Sequence, residues 1–153
     1  MGRLDKMKPY LTYLKKIQQD TGSVMHGLKA SDKSFQGFGE AYFSSVNHQM
    51  VKGWKLHKKM TLNLIVSKGE IRFIVHEGSK AEDQDQIIPL IDIILGEKNY
   101  SRLTVPPGYW LAFSGIGHDY NILLNIANIE HDPEEAINQP LSFFKVKGVD
   151  FHE

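Results

Sequence analysis

Residues 52–70 read KGWKLHKKMTLNLIVSKGE, and the way this stretch folds decides how the rest of the chain is read. From Lys55 to Ile65 the odd positions are Lys55, His57, Lys59, Thr61, Asn63 and Ile65. The even positions are Leu56, Lys58, Met60, Leu62 and Leu64, and Val66 continues that run. Side chains alternate across a strand with period two, so one strand here carries a mainly apolar even face and a mainly polar odd face. The wet side of an antiparallel sheet accounts for the odd set without any function. Polar residues inside the later apolar runs point instead to polar faces that converge on a pocket inside a small barrel.

Working outward from this stretch, Lys68-Gly69 reads as a tight turn, so that Val51–Ser67 and Glu70–His76 form the clearest hairpin in the chain. Upstream, Leu4, Met7, Leu11 and Leu14 give 4–19 the spacing of an amphipathic helix, with Pro9 imposing a break or an irregular first part. Asp20-Thr21-Gly22 is a turn signal, Ser23–Leu28 a strand, Lys29–Gln36 a polar loop, and Phe38–Val46 a strand with aromatic residues on both faces. Downstream, Glu77–Gln86 is polar enough for a hairpin loop. Ile87–Leu95, Tyr100–Val105, Tyr109–Phe113 and Tyr120–Ile129 are further strands, set apart by the turn Gly96–Asn99 and the corner Pro106-Pro107-Gly108. Asn125, in mid-strand, needs a hydrogen-bond partner, because an unpaired buried amide costs about 1 to 3 kcal/mol. His131–Glu135 ends the strands in a turn or short helix. Leu141–Val149 is an edge strand, a tail over a neighbour, or both.

With 153 residues, 41% of them hydrophobic, the chain suits a single domain with one core. Its 18 basic and 18 acidic residues balance, which gives no field or charge block directed at nucleic acid. The expected partner is a small molecule or a second copy of the chain. There is no cysteine, which excludes disulfides, thiolate metal sites and cysteine nucleophiles. The N-terminal segment lacks the apolar core of a signal peptide, and no run of about 18 apolar residues suggests a membrane span. A cytoplasmic address is the resulting expectation. No cofactor is implied, since there is no Gly-rich phosphate loop, G-x-S-x-G elbow or nicotinamide fingerprint.

About ten short strands with a PPG corner describe an all-β jelly roll, the double-stranded β-helix of cupins, preceded by a short helical or irregular segment. The expected division is an extension over 1–20, a jelly-roll core over 21–135 and a C-terminal segment over 136–153. Three stretches, Lys52–Glu70, Ile93–Phe113 (IILGEKNYSRLTVPPGYWLAF) and Asn125–Glu135 (NIANIEHDPEE), resemble the dTDP-4-dehydrorhamnose 3,5-epimerase family and its relatives among the sugar-nucleotide-modifying cupins. The resemblance implies epimerisation or keto-isomerisation of a nucleotide-linked 4-keto-6-deoxysugar through an enolate, in polysaccharide or glycoconjugate synthesis, and a homodimer.

In that family a histidine two residues after the strand-opening glycine is the base; here Gly53 is followed at that spacing by Lys55. The related 3,4-ketoisomerases carry a second histidine two residues later, which His57 matches. The counterpart of the family's tyrosine acid is His131, two residues before Pro133. An arginine is replaced by Thr21, and the histidine after the PPG corner by Leu111. A cupin metal site uses two histidines one residue apart, a glutamate and that later histidine; only His57 is present, and a lysine beside it repels a cation, so no metal is expected. His57 and Lys55 are the candidate catalytic residues, with His131 as acid by resemblance. Lys59 and Arg72 are candidates for phosphate, Asn63, Asn125 and Tyr42 for other substrate contacts. The competing reading is a non-catalytic cupin that binds a sugar nucleotide or carbohydrate, having lost the family's base and acid.

Overall fold

The computed structural model describes residues 6–77 and 87–149. Twelve strands follow in chain order: β1 (Tyr10–Tyr13), β2 (Lys16–Gln19), β3 (Gly22–Met25), β4 (Glu40–Ser45), β5 (Val51–His57), β6 (Leu62–Lys68), β7 (Glu70–His76), β8 (Ile91–Gly96), β9 (Ser101–Val105), β10 (Trp110–Gly115), β11 (Ile122–Ala127) and β12 (Ala136–Asn138). Two five-stranded antiparallel sheets face each other, one in the order β1-β9-β6-β11-β4 and the other β12-β5-β10-β7-β8; β2 and β3 form a separate hairpin. Successive strands from β4 onward mostly alternate between the two sheets, which is the jelly-roll arrangement the strand pattern and the PPG corner anticipate.

Three expectations are corrected. The N-terminal helix over 4–19 is absent over the described residues 6–19, where the chain forms β1 and β2. Pro9 denies a helix its hydrogen bonding, whereas β1 gains backbone pairing along β9, with Tyr10 opposite Thr104 and Tyr13 opposite Ser101. The single strand over 51–67 is two strands in opposite sheets. The N–H groups of Lys58, Lys59 and Met60 donate to the carbonyl and carboxylate of Glu135, and that of Thr61 donates to Asn128 Oδ1 at 2.7 Å. Four successive donors are thus taken out of any ladder, so the chain leaves one sheet and enters the other with its alternation reset.

Lys68-Gly69, third, is a corner between sheets and not a hairpin turn. β6 pairs with β9 and β11, while β7 pairs with β10 and β8. Gly69 has φ +77°, and a Cβ there would lie 2.3 Å from the carbonyl oxygen of Tyr120. Asn121 fastens the corner: its Oδ1 accepts from the Glu70 N–H at 2.9 Å, and its Nδ2 donates to the carbonyls of Val46 and Gly117.

Between the sheets Leu62, Leu64, Val66, Phe73, Val75, Leu103 and Leu111 form the main core. Both outer faces are covered as well. Residues 26–35 lie over the first sheet, held by Arg102, whose guanidinium donates to Gly27 O at 2.5 Å, Ser34 Oγ at 3.1 Å and Asp32 at 3.3 Å. Residues 139–146 lie over the second sheet, where Phe144 and Val146 pack on Trp54, Ile74 and Trp110. The C-terminal segment is therefore a tail over its own sheet, and the edge strand is β12. Residues 78–86 of the polar loop expected over 77–86 lie outside the described residues.

Candidate active site

A cavity of about 360 Å³ opens between the sheets on the side of β4, β5 and β12. β5 supplies Lys52, Lys55 and His57, β4 Tyr42 and Ser44, β11 Leu123 and Asn125, and β12 Asn138. Leu62, Leu64, Leu111 and Phe113 make the apolar wall. The lining is thus greasy inside with a few polar groups, the composition of a small-molecule site. At Gly53 φ is +144° and a Cβ would stand 2.6 Å from that of Ala112, so a glycine lets β5 approach β10 at this point.

His57 is anchored by a residue the sequence reading passed over. Its Nδ1 is hydrogen-bonded to Glu135 Oε1, and the other carboxylate oxygen accepts from the Lys59 and Met60 N–H groups at 3.1 and 3.2 Å. Glu135 ends a 3-10 turn over Pro133–Glu135, whose first N–H groups are capped by Asp132 through Glu134 N. The next residue, Ala136, begins β12 and pairs directly with His57. Glu135 is only 3% exposed. Burial pushes its pKa up, but the hydrogen bond from His57 and the two backbone donors, with the electrostatic pull of the imidazole, outweigh burial and hold it below the ordinary carboxylate range. A carboxylate fixed on Nδ1 sets the imidazole tautomer with Nδ1–H as donor, which leaves Nε2 as the basic nitrogen for the cavity.

The remaining candidates divide. Lys55, Tyr42 and Asn125 line the same cavity as His57. Asn63 does not: it lies on the outer face of β6, where Nδ2 donates to Ser34 O at 3.1 Å and Oδ1 accepts from Thr104 Oγ1 at 2.7 Å. The assumption that His57 and Asn63 share one polar face fails because the strand is broken between them. Arg72 points away from the cavity and forms a two-pronged ion pair with Asp92 at 2.6 and 2.7 Å. Lys59 and His131 are exposed and lie outside the lining. Elsewhere, His48 and His118 stack with ring centroids 4.0 Å apart, while His76 is packed between Trp54 and Phe144. Among the described residues no group of three or more His, Asp or Glu side chains converges as metal ligands would.

Glu135 lies 78 residues from His57, and the only local sign of its role is an acidic residue closing an Asp-Pro-capped turn. That sign is too common to single out one carboxylate.

A family model described as "FdtA: WxcM-like, C-terminal" matches residues 7–148. The chain belongs to this family. Among solved structures, a dTDP sugar isomerase from Desulfovibrio desulfuricans G20 is 29% identical with a TM-score of 0.80, over 94% of this chain and 93% of that one. The sugar 3,4-ketoisomerase QdtA from Thermoanaerobacterium thermosaccharolyticum, solved with TDP, is 20% identical with a TM-score of 0.68, over 89% and 90%. A dTDP-4-dehydrorhamnose 3,5-epimerase from Sulfolobus tokodaii is 18% identical with a TM-score of 0.75, over 95% and 84%. These last two share the fold. A search of curated proteins finds no match. The resemblance to the 3,5-epimerase-like cupins in the sequence thus holds for the family and for its jelly-roll fold.

Proposed function

We propose that this member of the family is an isomerase or epimerase of a nucleotide-linked 4-keto-6-deoxysugar, working by proton transfer through an enolate. The observation that carries the reading is the His57–Glu135 pair at the wall of a mostly apolar cavity. His57 Nε2 takes the proton from the carbon beside the ketone. The C–H electron pair becomes the carbon–carbon double bond, and the carbonyl π pair moves onto oxygen as the enolate. Delivery of a proton to the same carbon from the other face gives an epimer. For the isomeric ketone, the hydroxyl proton on the neighbouring carbon passes to the enolate oxygen, that neighbouring oxygen becomes the new carbonyl, and the carbon proton is delivered to the former carbonyl carbon. Glu135 keeps the ring in place and stabilises the imidazolium that forms between these steps.

Lys55 is the cation nearest in sequence to His57 within the lining, and we assign it to the enolate oxygen or to the diphosphate. Lys52 lines the mouth as a second cation, with its ammonium donating to Ser45 O at 2.7 Å. Keto-isomerisation is favoured over epimerisation by the extent of the likeness, since the 29%-identical isomerase is matched over nearly its whole length. Synthesis of a polysaccharide or glycoconjugate, in the cytoplasm, is the proposed setting. No helix among the described residues is long and apolar enough to cross a membrane. A homodimer is also proposed: β4 has no further strand on its outer side among the described residues, and Phe43 on it and Phe38 just before it are exposed at 70% and 66%. A monomeric mass by sedimentation at micromolar concentration would overturn it.

The test is proton exchange followed by NMR in deuterated buffer, with a panel of nucleotide-linked 4-keto-6-deoxysugars, wild-type protein and His57→Asn. Exchange at a carbon beside the ketone that disappears in the variant is the expected result and identifies the carbon. Saturable binding without exchange in the wild type would make the chain a binder of such sugars and not a catalyst.

A further inference from the structure

Opposite β5 the cavity carries a second polar group, built from β4 and β11. Tyr42 and Asn125 are directly paired in the ladder, and Asn125 Nδ2 donates to the Tyr42 hydroxyl oxygen at 3.0 Å. Two consequences follow from counting donors and acceptors. The bond uses a lone pair of the phenol and leaves its O–H proton unspent. It also leaves Asn125 Oδ1, on a side chain 2% exposed, with no partner among the described residues. A buried carbonyl oxygen beside Leu62, Leu64 and Leu123 is costly to leave unpaired, unless a ligand brings the missing donor. Tyr42 and Asn125 thus present one donor and one acceptor side by side.

We infer that the Tyr42–Asn125 pair reads an α-hydroxyketone, with the Tyr42 O–H donating to the ketone oxygen and Asn125 Oδ1 accepting from the hydroxyl on the adjacent carbon. The inference deepens the proposed function and rests on it for the identity of the sugar. An adjacent acceptor and donor in the ligand match the pair in number and polarity. A hydroxyl in place of the ketone still accepts from the Tyr42 O–H, but its own proton then lacks an acceptor in the pair, since Asn125 Oδ1 is taken by the adjacent hydroxyl. In a keto-sugar, the Tyr42 bond strengthens as negative charge gathers on the oxygen during C–H cleavage, so the pair contributes to turnover as well as to selection.

The experiment compares the affinity of TDP with that of TDP-4-keto-6-deoxyglucose by calorimetry, for wild type, Tyr42→Phe and Asn125→Leu, each checked for an unchanged melting temperature. The expected result is TDP affinity within about twofold of wild type in both variants, with the extra affinity contributed by the keto-sugar reduced about tenfold in each. Equal losses for TDP and the keto-sugar would place the pair at the nucleotide and overturn the inference, as would no loss for either ligand. A wild type that prefers the keto-sugar, loses that preference in the variants and shows no proton exchange would sustain the inference while removing the catalytic reading. A wild type with no preference for the keto-sugar over TDP would overturn the inference whatever exchange shows.

Discussion

Asn63, the second residue of β6, and Asn125, in the middle of β11, lie on neighbouring strands of the same sheet, and both are almost completely buried. They differ in the face they occupy. Asn63 lies outward under residues 26–35, with both ends of its amide bonded to protein. Asn125 lies inward toward the cavity, with its amide nitrogen bonded to Tyr42 and its oxygen unpaired. The contrast extends to their surroundings. The outer faces bury Arg102, Thr104 and His76 beneath covering segments, whereas the inner face holds His57, Lys55 and Tyr42 around open space. Asn63, fully paired by the chain, fixes a segment, whereas Asn125 leaves an acceptor beside the cavity; Arg102 Nε and His76 Nε2 also lack partners among the described residues, but they lie beneath covering segments and not beside open space.

The largest effect expected from this division is on the inner face. His57→Asn should lower turnover about 10³-fold while leaving the melting temperature nearly unchanged, read by proton-exchange rate beside thermal unfolding. A fold destabilised as much as activity would erase the distinction between the faces. Glu135→Gln keeps a hydrogen-bond acceptor for Nδ1 but loses the negative charge, so turnover should fall about 10- to 100-fold, with most of the loss in kcat and not KM.

On the outer face, Arg102→Leu should cost about 3 kcal/mol of stability in urea titration, because it frees Gly27 O, Ser34 and Asp32 together and loosens residues 26–35. The activity of the molecules that remain folded should be preserved. His76 makes the covered face of the other sheet sensitive to acid. Burial against Trp54 and Phe144 lowers its pKa from 6.5 to about 4, so below pH 6.5 the unfolded chain binds a proton that the folded chain refuses. Stability therefore falls as pH drops from 6.5 toward 4, by up to roughly 3 kcal/mol from this residue. Denaturant midpoints measured across that range should lose this slope in His76→Leu. The smallest effects sharpen the comparison most. Asn63→Leu should destabilise by about 1 to 2 kcal/mol by stranding Thr104 and Ser34, while Asn125→Leu should lie within about 0.5 kcal/mol of wild type, having removed an unpaired acceptor.

The strands and their corners were largely legible in the sequence. Alternation of apolar residues, Gly69 at a turn and the PPG sequence are local signals, and local backbone sterics and side-chain period suffice to produce them. The placement of Lys55 and His57 on one side of β5 was legible for the same reason. Continuation of that face to Asn63 was not, because what interrupts the strand is the capture of the N–H groups of Lys58 to Thr61 by Glu135 and Asn128, more than 65 residues away. The N-terminal segment fails for a related reason: its spacing fits a helix, but Pro9 and pairing with β9 favour a strand.

Thus the sequence by itself determined the all-β class, the alternation that builds each strand and the family, since these depend on residue order over short spans. Only the tertiary structure decided which carboxylate holds His57, which asparagine faces the cavity and that Arg72 is spent on Asp92. Each of those outcomes depends on which strands become neighbours, and that is set by long-range pairing between sheets, which no local period encodes.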